Sequence, residues 1–135
     1  MRILGLDIGD KRIGAAISDK LEIISTPLEV ISNDEKVNDK LKEIVEKYNI
    51  KKIVVGMPHT LRGEVGIQAK KVIDFVNSVV GNLNVEIDYI DERYTTKIPL
   101  KLSGKYSKKR EIDKFSASII LSDYLNRRKK VENIK

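Results

Sequence analysis

The chain contains no cysteine and no tryptophan, a single histidine, and few aromatic residues of any kind, 5% in all. Without thiols, disulfides and thiolate-bound metals are excluded, and an intracellular home needs no special explanation. One imidazole, His59, cannot build a His-rich zinc site. Any bound metal must therefore rest on oxygen donors, which favours Mg2+ or Mn2+. No apolar run approaches the ~18 residues that a membrane span requires. With 41% apolar residues, the chain reads as soluble and globular. Met1 leads straight into Ile3-Leu4-Gly5-Leu6, which leaves no room for a signal or transit peptide and predicts a cytoplasmic protein. A core of this size buries roughly two thirds of the surface that the unfolded chain exposes. Residues 1–135 are accordingly expected to form one domain.

What is present is alternation and amphipathic periodicity. Residues 2 to 8 read as an apolar strand, Gly9-Asp10 as a turn, and Ile13 to Ser18 as a second strand, so the opening is a β-hairpin. A third strand is predicted near Glu22 to Ile31, with Pro27 suiting an edge or a bulge. Ser32 and Glu35 have the spacing of a capping box, and Val37, Leu41, Ile44, Val45 and Tyr48 follow a helical stripe that Asn49 ends. Lys52 to Gly56 is a short buried strand that Met57-Pro58 turns out of the sheet. Ala69, Val72, Ile73, Val76 and Val80 mark a second helix, stopped by Gly81. Val85 to Ile90 is a fifth strand, the basic stretch from Lys97 to Arg110 a short helix or loop, and Asp113 to about Lys129 the last helix. The order βββαβαβα, an antiparallel meander followed by right-handed crossovers, predicts an α/β fold with a mixed five-stranded sheet and helices on both faces. That order matches the ribonuclease H-like fold.

Acids stand where apolar segments end. Asp7 closes the first strand, Asp91-Glu92 closes the fifth, and Asp113 opens a helix whose Ala117, Ile120, Leu121 and Tyr124 share its face. Each has an ordinary explanation, Asp7 as a turn residue and Asp113 as an N-cap. Asp91 and Glu92 project to opposite sides of a continuing strand, so only one of them is expected to face a site, and the pattern leaves the choice open. Carboxylates from several elements are what two-metal phosphodiester hydrolysis needs. The net charge of +6 favours a polyanionic partner. Lys105, Lys108, Lys109, Arg110 and Lys114 crowd around Asp113, where they would steer a phosphate backbone. The second basic run, Arg127 to Lys130, suits a helix C-terminus.

The segment Leu4-Gly5-Leu6-Asp7-Ile8-Gly9-Asp10-Lys11-Arg12-Ile13-Gly14, with Ser18-Asp19 behind it, resembles the N-terminal signature of the YqgF/RuvX family. Val55-Gly56-Met57-Pro58 with Gly63, Asp91-Glu92-Arg93-Tyr94-Thr95-Thr96, and Asp113 with the helix Ala117 to Leu125 match its later blocks in order, over nearly the whole chain. The family comprises ribonuclease H-like nucleases, described as Holliday junction resolvases or as enzymes that mature the 5′ end of pre-16S rRNA. The resemblance implies a cytoplasmic, magnesium-dependent nuclease. Carried onto this chain, it makes Asp7, Glu92 and Asp113 the catalytic acids and metal ligands, with Asp91 as the substitute for Glu92. It also makes Lys11, Arg12, Arg93, Thr95 and Thr96 contacts to phosphate or supports for the acids, although Thr95-Thr96 could equally cap a helix.

Two other readings compete. An apolar strand ending Asp-x-Gly before a hairpin is also the phosphate-binding element of sugar-kinase and actin-like proteins, but those close two related domains over ATP. A non-catalytic nucleic-acid-binding module on the same fold would keep the basic patch without needing the acids. Only Tyr94 and Tyr106 lie near the proposed site, so no stacking platform for bases is expected and contacts to the backbone should dominate. The expected partner is structured RNA or branched DNA, bound by a monomer or a homodimer.

Overall fold

Alternating apolar residues set the sheet. The computed structural model describes residues 2–58, 66–91 and 109–134, with side chains of the final stretch described from 115 to 128. Strand β1 (Arg2–Ile8) pairs antiparallel with β2 (Arg12–Ser18), and β2 pairs antiparallel with β3 (Ser25–Ser32). Helix α1 (Val37–Lys47) returns the chain to β4 (Ile50–Met57), which lies parallel to β1. Helix α2 (Ile67–Ser78) and a 3-10 turn (Val80–Leu83) lead to β5 (Glu86–Asp91), parallel to β4. Helix α3 (Lys109–Ile134) follows. The five strands form one sheet in the order β3-β2-β1-β4-β5, so β1 and β4 lie inside it and β3 and β5 form its edges.

The pleat assigns each side chain to a face. Leu4, Leu6 and Ile8 of β1, Ile53 and Val55 of β4, and Ile13, Ala15 and Ile17 of β2 pack with Val37, Leu41 and Ile44 of α1 and Val72 and Val76 of α2. Ile3, Ala16, Val54 and Ile90 face the other way, against Ala117, Ile120, Leu121, Tyr124 and Leu125 of α3. Helices thus cover both faces, α1 and α2 on one and α3 on the other, as the order of elements predicts.

Several boundaries differ from the sequence reading for identifiable reasons. Ser32 does not cap α1, because it is still paired with Arg12 as the last residue of β3. The entry to α1 is built instead by Asp34, whose Oδ1 accepts the Lys36 N–H at 3.0 Å and whose carbonyl accepts the Val37 N–H at 3.1 Å. The third strand begins at Ser25 rather than Glu22, since Asp19 to Ile24 form a turn in which Glu22 takes φ 59°. Pro27 sits on the edge strand, where register slips between Ala15↔Glu29 and Ala16↔Pro27, leaving Leu28 as the bulged residue. Gly81 does not stop α2, which ends at Ser78. Gly81 lies within the 3-10 turn, and left-handed Asn84 (φ 55°) redirects the chain. Asn49, at φ 53°, does end α1.

Candidate active site

Parallel strands point their C-terminal ends at one edge of the sheet, and in an open α/β sheet that edge is where ligands bind. Asp7 stands there on β1, half-buried. Its odd position, in phase with Ile3 and Gly5, turns it to the face covered by α3. Directly across on β2 its partner is Gly14. On the other side the last registered pair is Leu6↔Val55, so the next row along β4 is Gly56, itself paired with Ile90. Asp7 therefore has a glycine on each neighbouring strand. Neither neighbouring strand adds a Cβ beside the carboxylate. Gly14 and Gly56 belonged to the recognised segments, but their shared row with Asp7 emerges only from strand register.

Helix α3 runs antiparallel to β1 over this face. Tyr124 reaches the row of Lys52 and Asp88, donating its hydroxyl to Asp88 Oδ2 at 2.9 Å and accepting from Lys52 Nζ at 3.0 Å. One to two turns earlier, Leu121 and Ala117 close on Gly5, where an added Cβ would stand 2.8 Å from the Leu121 Cβ and 3.3 Å from the Ala117 carbonyl. Passing from Tyr124 to Ala117 thus moves along β1 toward Asp7, and the backbone of position 113 lies one further turn in the same direction. Asp113 is not the first residue of its helix, which begins at Lys109, so the N-cap explanation of this acid is removed.

Asp91 ends β5, opposite Met57 and two strands from β1. Ile87, two pleats before it, packs with the α1 and α2 core, whereas Asp88 and Ile90 face α3. Asp91 is therefore brought to the same edge as Asp7 but in phase with the opposite face. Among the described residues, no three His, Asp or Glu side chains form a group that could hold a metal. Glu92, Arg93, Thr95, Thr96 and Lys108 lie outside the described residues, as does the predicted helix or loop of the basic stretch. Lys109, Arg110, Asp113 and Lys114 lie on α3 at positions whose side chains are not described.

The β1–β2 turn beside Asp7 is tight. Gly9 N–H donates to the Arg12 carbonyl at 2.9 Å, and a Cβ on Gly9 would meet that oxygen at 2.8 Å. The turn presents Lys11 to solvent and holds Arg12 half-buried at the start of β2. Asn33, just past β3, donates its side-chain amide to the Gly9 carbonyl at 2.8 Å. The sequence reading missed Asn33, whose only signal was a polar residue between a strand and a helix.

A family model for the RuvX Holliday junction resolvases matches residues 1–127. The chain belongs to the RuvX family. Its relatives include a Sulfurihydrogenibium protein, 47% identical over 131 residues, with 93% of this chain and 90% of the relative covered. A Desulforudis audaxviator protein is 38% identical over 140 residues, covering 98% and 99%. Both carry the name "Putative pre-16S rRNA nuclease". Among solved structures, RuvC of Thermus thermophilus in complex with a Holliday junction substrate superposes with TM-score 0.60 at 15% identity, covering 95% of each chain. The fowlpox virus Holliday junction resolvase gives TM-score 0.53 at 18% identity, covering 94% of this chain and 99% of that one. The fold is thus that of the ribonuclease H-like resolvases, and the chain is a nuclease, a hydrolase of phosphodiester bonds. No described helix is long and apolar enough to cross a membrane.

Proposed function

We propose that residues 1–135 form one cytoplasmic, metal-dependent nuclease domain that trims the 5′ end of pre-16S rRNA during ribosome biogenesis. Asp7, Glu92 and Asp113 are its acids. The observation that carries this reading is the place of Asp7, at the C-terminal edge of an interior strand, with glycine on both neighbouring strands and α3 bringing position 113 toward it. The period of the pleat favours Glu92 over Asp91. Positions 88 and 90 share the α3 face with Asp7, whereas Asp91 is in phase with the other face, which counts against Asp91.

The donor set fits hard divalent cations. The chain offers carboxylates and carbonyls and no thiol, and Asp7 brings a half-buried carboxylate to the edge of the sheet. Asp7, Glu92 and Asp113 would hold Mg2+ or Mn2+, which when bound polarises the scissile phosphate and lowers the pKa of attacking water. The chain's own part is positional. Lys11 and Arg12 at the turn, Arg93 with Thr95 and Thr96 after β5, and Lys108, Lys109, Arg110 and Lys114 around the start of α3 would bind the phosphate backbone on either side of the acids. Such contacts orient the strand without reading its sequence. Water attacks phosphorus in line with the departing oxygen, a P–O bond to water forms as the bond to that oxygen breaks, the attacking water gives a proton to solvent, and the departing oxygen takes one from solvent.

A second reading, resolution of Holliday junctions in recombination and repair, draws on the family description and on the fold shared with RuvC. It calls for a symmetric dimer making paired cuts, whereas trimming of an rRNA end can be done by a monomer. Pure protein with Mg2+ or Mn2+ should be given a precursor rRNA 5′ leader and a four-way DNA junction side by side. Preferential cleavage of the leader is the expected result, and paired symmetric cuts in the junction would replace this reading with the second. Asp7→Asn should abolish the metal-stimulated cleavage, by more than the about 10- to 100-fold that changes outside a metal's own ligands cost. Unchanged cleavage by this variant would sink the assignment of Asp7, and failure of the wild type to cut either substrate would favour a binding module without catalysis.

A further inference from the structure

Only three residues, Gly9 to Lys11, join β1 to β2, yet they bring Lys11 and Arg12 close behind Asp7. Gly9 has no side chain with which to pack, and its conformational freedom would let the turn swing about the end of β1. Besides its own Gly9–Arg12 bond, what holds the turn comes from another part of the chain. The Asn33 backbone N–H donates to the Lys11 carbonyl at 2.9 Å, continuing the ladder one step beyond the Arg12↔Ser32 pair. Its side-chain Nδ2 donates to the Gly9 carbonyl at 2.8 Å. One half-buried residue thus grips carbonyls on both limbs of the turn. On the far side, Asp10 Oδ1 meets Lys71 Nζ of α2 at 3.4 Å, but both side chains are more than half exposed, so this pair restrains the turn weakly. A cleft of about 280 Å³ opens between turn and helix, with Gly9, Asp10, Asn33, Gln68 and Lys71 among its walls, so among the described residues the turn has no packed support there.

We propose that Asn33 is a positioning residue for nucleic-acid binding: its amide bond to the Gly9 carbonyl sets the direction in which Lys11 and Arg12 leave the turn beside Asp7. The inference rests on the reading above, in which these two cations meet the phosphate backbone. A turn ordered in advance presents its charges without losing conformational freedom at the moment of binding. Asn33→Ala removes the side-chain bond and keeps the backbone one, so the sheet remains and the turn loosens.

The test is a double-mutant cycle read as binding. Wild type, Asn33→Ala, Lys11→Ala and the double variant are titrated against a labelled precursor rRNA 5′ leader and a labelled four-way DNA junction, with thermal midpoints measured alongside. Asn33→Ala should weaken binding about tenfold, the scale of one hydrogen bond's worth of ordering. Lys11→Ala should weaken binding by a factor that shrinks clearly in the Asn33→Ala background, because a charge that is no longer aimed has less to lose. A merely structural role for Asn33 would lower the thermal midpoint and leave the Lys11 factor the same in both backgrounds, which overturns the proposal. So does wild-type binding by Asn33→Ala when Lys11→Ala binds poorly, and in that case the reading of the turn as a phosphate contact stands. If Lys11→Ala binds both probes like wild type, that earlier reading fails and takes this inference with it. Should Asn33→Ala not fold, Asn33→Leu, close in size and uncharged but without the donor, replaces it.

Discussion

Gly9 has the least room to change. A Cβ there would press on the Arg12 carbonyl at 2.8 Å, and because that contact is backbone it cannot be relieved by a rotamer shift. Gly9→Ala should therefore destabilise the protein by about 1–3 kcal/mol, measured by denaturant unfolding, and should weaken cleavage as the turn moves away from Asp7. Asp19, at the next turn, makes a prediction in pH. Its Oδ1 accepts the N–H groups of Ile24 and Ile23 at 2.8 and 2.7 Å, and these bonds hold its carboxyl below the ordinary value of 3.8. A lowered folded-state pKa means that the ionised form stabilises the native protein. That contribution is complete above 3.8 and is lost as pH falls through the lower folded-state value. Asn cannot ionise, so the difference in thermal midpoint between wild type and Asp19→Asn should be largest at neutral pH and shrink below pH 3.8. A difference that does not change with pH would count against the charged hydrogen bonds. At this scale the sequence was informative about chemistry and silent about partners. It singled out Asp7 and the Gly9-Asp10 turn, but not that Asn33, more than twenty positions away, would close over Gly9.

Helix α3 is the element on which the proposed site depends, since it carries position 113 and touches β1 through the smallest possible contact. Gly5 admits the helix backbone, with the Leu121 Cβ 2.8 Å from where a Gly5 Cβ would be. Gly5→Ala should push α3 off the sheet, costing about 1–3 kcal/mol of stability and reducing cleavage even under conditions where the variant remains folded. An equal loss of stability produced elsewhere, for example by Ile44→Val in α1, is the control, and it should leave cleavage of the folded enzyme near wild type. Elements were legible wherever periodicity was strong. The stripe of α1 and the apolar runs of β1, β2 and β4 were read within a few residues, because burial on one face of a helix and on both faces of an interior strand leaves a clear pattern. Errors fell at boundaries decided by partners. Ser32 looked like a cap but was claimed by pairing with Arg12, and Gly81 looked like a stop but was absorbed in a 3-10 turn. The start of α3 was placed too late because Lys109, Arg110 and Glu111 are charged and Ile112 alone makes no apolar stripe.

Across the whole molecule, the charge excess of +6 should govern affinity. Binding to a four-way DNA junction should weaken steeply with salt, the slope of log K against log salt counting the phosphates neutralised, and Lys11→Ala should reduce that slope by about 1. An unchanged slope would exclude Lys11 from the interface. The sequence by itself determined the class of chemistry and the class of fold. Lacking thiols and having one imidazole, the chain favours oxygen ligands, and the order of its apolar segments predicts a mixed sheet with helices on both faces. Tertiary structure alone decided which groups meet. Strand register set Asp7 between Gly14 and Gly56 and turned Asp91 to the opposite face, and the crossing of α3 at Gly5 directed position 113 toward Asp7. The reason is physical: composition and periodicity are local properties of the chain, whereas register and helix placement are fixed by contacts between residues far apart in it.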